Sequence, residues 1–185
     1  MAAGDGLVSM APTSIAHSGT SASINADGGV DFSAVTSLSL NGVFTSDYDN
    51  YLIVVNHYVS NTTGNWRMWI RLRASGTDAT AANYTSQRLS ADGTTKGAQR
   101  LTSQTEFFLG QSSATLRSAD TIHMYGPALS QPTAARNVNV YGSSNATIFD
   151  LANTHSLSTS YDGFTLIPET GAEFTGTIHV FGYEE

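Results

Sequence analysis

The feature that most constrains this chain is the run from Trp66 to Arg73, where aliphatic residues alternate with three arginines and a tryptophan. In an extended strand, Trp66, Met68, Ile70 and Leu72 fall on one face, and Arg67, Trp69, Arg71 and Arg73 on the other. A period of two marks a half-buried β-strand, because successive side chains point to opposite sides of the pleat. Similar short segments, β-branched, aromatic or alternating, recur at 36–40, 51–60, 84–89, 106–110, 121–125, 137–141, 147–151, 164–167 and 174–183. Turn formers separate them: Gly64, Gly76, Asp92-Gly93, Gly126-Pro127, Gly142 and Pro168-Glu169-Thr170-Gly171. Asn41-Gly42, after the first segment, is a strong two-residue turn signal. Nowhere is a 3.6-residue apolar stripe sustained. The expectation is an all-β chain folded as an antiparallel β-sandwich, with the jelly roll its favoured form, because two packed sheets let many short strands each hide one face.

Residues 1–31 differ from the rest. They are rich in Gly, Ala, Ser and Thr, with Leu7, Val8, Met10, Ile15, Ile24 and Val30 as the larger aliphatic residues. This reads as an extended N-terminal arm with one or two short strands, leading into a sandwich domain at 32–185. The arm carries too little apolar surface to be stable alone. It packs either on its own domain or on a neighbour, with Leu7, Val8, Met10 and Ile15 as the anchoring candidates.

Length and composition limit the chemistry. A chain of 185 residues can bury roughly 70% of its unfolded surface, so its core needs no metal or disulfide. There is no cysteine, which excludes a disulfide framework, a thiolate metal site and a cysteine nucleophile. Charged residues make up 12% of the chain, the net charge is −7, and Lys96 is the one lysine. Nucleic-acid binding needs a basic stripe to neutralise phosphates, and none is present. The opening residues lack the basic and apolar regions of a secretory signal, and no apolar run approaches the ~20 residues that cross a bilayer. The expectation is a soluble protein made in a cytoplasm, with no membrane insertion.

Motifs for catalysis or metal binding are missing as well. His17, His57, His123, His155 and His179 stand apart, without the spacing of a metal site. A cluster made by the fold, such as His57 with His123 or His179 at an oligomer axis, stays open. Asp47-Tyr48-Asp49-Asn50 could offer oxygen ligands to calcium, but its spacing departs from the EF-hand loop and suits a turn before a strand. The other carboxylates are scattered among turns, and neither G-x-S-x-G nor a phosphate loop occurs. The chain therefore reads as non-enzymatic, without cofactor or metal. Asn61, Asn83 and Asn145 begin glycosylation-type triplets of the kind that arise by chance in an Asn/Thr-rich chain.

The face made of Arg67, Trp69, Arg71 and Arg73 invites a binding role. Arg and Trp are enriched at interface hot spots, which suits a subunit contact. A sugar could stack on Trp69. The bland reading is a solvated face whose arginine stems cover apolar surface.

Several stretches resemble a jelly-roll-type domain found in structural proteins of tailed bacteriophages, including cyanophage and environmental ones. They are residues 12–19, SLSLNGVFTSDYDNYLIVV (37–55), RLRASGTDATAANYTSQRL (71–89), SYDGFTLIPETG (160–171) and GTIHVFGY (176–183). The resemblance spans nearly the whole chain. Its most specific part is the ordered set Tyr48-Asp49-Asn50-Tyr51, Arg71-Leu72-Arg73, Tyr161-Asp162-Gly163-Phe164 and Gly182-Tyr183. It implies a component of the virion exterior and transfers no catalytic residue. Members are variously minor tail, tail-fibre or decoration proteins. The leading expectation is a capsid decoration or minor structural protein that self-associates, with a trimer preferred, and joins major capsid or tail proteins. The alternatives are a receptor-binding tail appendage recognising a host-surface glycan, and a free carbohydrate-binding module.

Overall fold

The structure, a computed structural model, describes residues 6–114, 116–142 and 146–184. Its strands are β1 (Leu7–Ser9), β2 (Ser14–Ile24), β3 (Val30–Asn41), β4 (Asn50–Val59), β5 (Asn65–Ala74), β6 (Thr77–Asp78) and β7 (Tyr84–Asp92). They continue as β8 (Thr95–Gln104), β9 (Phe107–Ser113), β10 (Ser118–Tyr125), β11 (Thr133–Tyr141), β12 (Thr147–His155), β13 (Gly163–Pro168) and β14 (Phe174–Tyr183). No helix occurs among the described residues. The Asn145 triplet begins outside them.

Every strand pairing among the described residues is antiparallel. The main path runs β6-β5-β13-β3-β14-β4-β10-β11-β12-β7-β8, with β2 on β3, β1 on β14 and β9 on β5. The two C-terminal strands insert between early ones: β13 lies between β5 and β3, and β14 between β3 and β4. The sheet therefore curls on itself, and its β5–β9 end packs over β10, β11 and β12. The result is an antiparallel β-sandwich of jelly-roll type, as the alternating pattern predicts.

The core follows from that pattern. Along β4, Tyr51, Ile53, Val55, His57 and Val59 are buried while the residues between them are half-buried. On β5 the buried residues are Met68, Ile70 and Leu72. β13 lies between two strands and buries nearly every residue. Each large apolar side chain enclosed in this way contributes about 1.5–3 kcal/mol.

Each segment expected from the sequence lies in or overlaps one of the strands. Two local differences stand out, and the N-terminal segment takes one of its two expected courses. Asn41-Gly42 does turn the chain, with Gly42 at φ 71°, but it makes no hairpin, because β14 separates β3 from β4. β8 carried no apolar signal, since it is an edge strand exposed along most of its length. Residues 7–24 are built into the sheet: β2 pairs along β3 from Ser14↔Asn41 to Ile24↔Val30, and β1 pairs with β14. Of the anchoring candidates, Met10 and Ile15 pack on this domain's own core, Val8 is half-buried and Leu7 is exposed.

β9 shows how the two ends are joined. β5 occupies one of its edges. Its remaining backbone groups are met by side chains from the facing sheet, not by a further strand. Ser86 Oγ accepts the Phe108 N–H at 3.2 Å, and Asn139 accepts the Gln111 N–H at 3.2 Å while donating to the Gln111 carbonyl at 3.3 Å. Asn137 donates to the Leu109 carbonyl. A buried edge needs such partners, because an unpaired backbone group in the interior costs roughly 1–3 kcal/mol. Gly110 makes the approach possible: at φ 148°, a Cβ there would come within 2.3 Å of Asn139 Cγ.

Candidate functional site

β5 positions the face singled out in the sequence, and the structure divides that face in two. Arg71 and Arg73 turn inward to carboxylates. Arg71 Nη2 lies 2.5 Å from Glu106 Oε2, its Nε donates to the Thr105 carbonyl at 3.1 Å, and Nη1 is 3.8 Å from Asp78. Arg73 pairs with Asp78 and donates to Ser39, Asn41 and Thr165. Two cations and two anions thus close a neutral network that ties β5 to β3, β6 and β13. These guanidiniums are structural ties within one chain.

Arg67 and Trp69 instead open onto a cleft. Trp69 is half-buried against a small aromatic cluster of Phe108, Tyr141 and Phe149 with Leu151, its ring centroid 6.4 Å from that of Phe108. Across from it stands the β7–β8 hairpin, where Arg88 and Gln99 are direct cross-strand partners. Gln104 and Leu101 continue that wall, with Glu106 and Phe108 completing the cleft. Its volume is about 120 Å³. That is well below the roughly 300–1,000 Å³ of pockets that engulf a small molecule. It suits a ligand laid along the surface, with one ring seated.

The chemistry of the lining is mixed. Trp69 offers an aromatic face, Gln99 and Gln104 offer amide donors and acceptors, and Arg67 and Arg88 offer guanidiniums. Arg88 lies over two rings, 5.6 Å from the Phe108 centroid and 5.3 Å from that of Phe149. Burial, and then the nearby charge of Arg67, push its pKa below the ordinary arginine value. Arg88, Gln99, Gln104 and Phe108 escaped the sequence reading. Phe108 is the cross-strand partner of Trp69, and the curl of the sheet brings Arg88, Gln99 and Gln104, on β7 and β8, to that pair.

A second constellation lies in the core. His57 Nδ1 is 2.8 Å from Ser112 Oγ, and its Nε2 is 2.8 Å from Asp120 Oδ2, whose other oxygen accepts from Asn137 at 2.9 Å. The residue types are those of a nucleophilic triad, but the serine sits on Nδ1 and the carboxylate on Nε2. All of these side chains are sealed from solvent, and the imidazole stacks on Phe174 at 5.5 Å. No substrate can reach the hydroxyl in this arrangement, which works as a polar strut between β4, β9, β10 and β11.

His17 is exposed, and the other three histidines are engaged separately. His123 hydrogen-bonds the Tyr183 hydroxyl at 2.7 Å, His155 sits between Tyr84 and Tyr161, and His179 stacks with Phe181. Around Asp47, the side chain bonds Thr45 in a turn. No group of three or more metal-type ligands is gathered among the described residues.

No protein-family model matches the chain, and no curated protein matches its sequence. Solved structures of similar shape exist at low identity. The CBM2 module of an evolved Dit protein from Lactobacillus casei BL23 phage J-1 is 12% identical, covers 97% of both chains and has a TM-score of 0.44. Galectin LEC-6 of Caenorhabditis elegans is 11% identical over 81% of this chain and 92% of its own, with a TM-score of 0.38. Lectin II from Ulex europaeus is 8% identical over 93% and 98%, with a TM-score of 0.34.

Proposed function

We propose that this chain is a non-enzymatic glycan-binding β-sandwich, carried as an appendage on the exterior of a phage particle. The observation that carries the reading is the cleft between β5 and the β7–β8 hairpin, where Trp69 faces amide and guanidinium groups. Sugars present an apolar ring face and a rim of hydroxyls. A tryptophan with two glutamines and two arginines around it meets both. The rigidity of the wall helps, because Trp69 is braced by Phe108 and Arg88 by Phe108 and Phe149. Little conformational entropy is then lost on binding. The appendage setting comes from the sequence resemblance to virion proteins of tailed phages.

Self-assembly is a second reading, favoured by a different surface. Val140 and Ile148 are cross-strand partners, Ile148 also pairs with Ala91, and Leu89 lies nearby on β7. Leu89, Val140 and Ile148 are 58%, 48% and 44% exposed. An apolar row on an open sheet face suits contact with another copy or with a capsid or tail protein.

One variant tests the glycan reading and leaves the Leu89, Val140 and Ile148 face untouched. Trp69→Ala is expected to abolish retention on a glycan array while leaving the mass in light scattering unchanged. A lower mass with glycan binding intact would transfer Trp69 to a subunit interface and place any glycan site elsewhere on the molecule.

A further inference from the structure

The chain is acidic overall, with eight cationic side chains against fifteen carboxylates. Most of the cations are accounted for without any ligand. Arg71 and Arg73 pair with Glu106 and Asp78, and Arg136 pairs with Asp150. Arg117 lies over the Tyr58 ring. Lys96 and Arg100 stand on the exposed β8 strand.

Arg67 and Arg88 differ in lining one cleft together. Among the described residues, no carboxylate comes within 4.0 Å of either guanidinium, although the two are close enough for one to disfavour the charge of the other. Glu169, which follows β13, accepts the Arg67 backbone N–H on its Oε2 at 3.0 Å. Glu106 lines the cleft too, but Arg71 at 2.5 Å and the Thr105 hydroxyl at 2.6 Å hold its Oε2. Arg88 Nε is also buried without a hydrogen-bond partner. Two like charges beside one another, one of them partly desolvated, are unfavourable to the empty site. An oxyanion between them reverses that sign, because planar guanidiniums bind carboxylate, sulfate and phosphate oxygens through paired N–H donors.

We propose that Arg67 and Arg88 form an oxyanion subsite in this cleft, so that the glycan it takes is acidic, with its charged group held between them and its ring against Trp69. This deepens the glycan-binding reading and rests on it. It also gives a role to two neighbouring cations on a chain whose net charge is −7.

The test uses the full chain on an array of matched pairs, in which uronate, sulfated and phosphorylated glycans stand beside neutral counterparts such as the uronate methyl esters. Wild-type protein is expected to bind acidic members roughly tenfold more tightly than their neutral partners, the scale of one or two charge-assisted hydrogen bonds. The preference should shrink with added salt and vanish in Arg67→Gln and Arg88→Gln. Whichever acidic class binds identifies the oxyanion. Arg67 is exposed, so Arg67→Gln keeps the test valid should Arg88→Gln lose its brace and fail to fold. Equal binding to both members of each pair, removed by Trp69→Ala, would overturn the oxyanion subsite and leave the glycan reading standing. Binding to no member would overturn both.

Discussion

His57 is a residue whose loss this fold should tolerate poorly. It is fully enclosed and bonded at both ring nitrogens, and it stands beside the equally enclosed Asp120. His57→Ala leaves that carboxylate with Asn137 as its remaining side-chain donor. Breaking one member of a buried pair costs about 3–5 kcal/mol, mostly through the group left behind. A loss of about 3 kcal/mol is expected from urea denaturation, with no effect on glycan binding. His155 acts through pH. Its Nδ1 accepts the Leu157 N–H at 3.3 Å, and burial holds its pKa below the usual histidine value. The folded state therefore prefers the neutral ring. The contribution is complete above about pH 6.5, the unfolded value, and is lost as pH falls through the lower folded value, because the unfolded chain then takes up a proton that the folded chain refuses. His155→Gln should flatten the decline of stability below about pH 6.5, measured by denaturation across pH. An identical decline in wild type and variant would contradict this assignment.

At the scale of elements, the N-terminal strands are part of the sandwich. β2 covers the whole outer edge of β3, and Met10 and Ile15 lie on the core. A chain beginning at residue 25 should lose roughly 3 kcal/mol or more, from two apolar side chains and an uncovered edge strand. An unchanged urea midpoint would instead make the segment a detachable arm. The sequence left open whether this segment packs on its own domain or on a neighbour, because β2 is mostly exposed and its small polar residues carry no alternation. β8 was missed for the same physical reason: a strand that buries neither face leaves no period in the sequence. β4 and β5, each with one face in the core, were legible almost to the residue. What hydropathy could not carry was the docking of β9, which depends on Asn137, Asn139 and Ser86 reaching backbone groups far away in sequence.

At the scale of the whole molecule, the class of fold was readable because period-two segments and turn formers alternate along the chain. The strand order was not, since β13 and β14 insert between strands that precede them by about a hundred residues or more. The candidate site divides in the same way. Trp69 and Arg67 were visible as an outward face of one strand, yet nothing local distinguished them from Arg71 and Arg73, which the fold consumes in ion pairs. Arg88 and Gln99 belong to the cleft only because the curled sheet returns β7 and β8 to β5. The proposed glycan site is this returned edge around Trp69. Its most direct test is calorimetric titration of wild type and Trp69→Ala with the strongest ligand found on the array. Wild type should show measurable one-to-one binding, and the variant, assayed below its own melting temperature, should lose at least tenfold, about the worth of one aromatic stacking contact with its buried area. Equal affinities for the two proteins would place any glycan site elsewhere on the molecule and contradict the account.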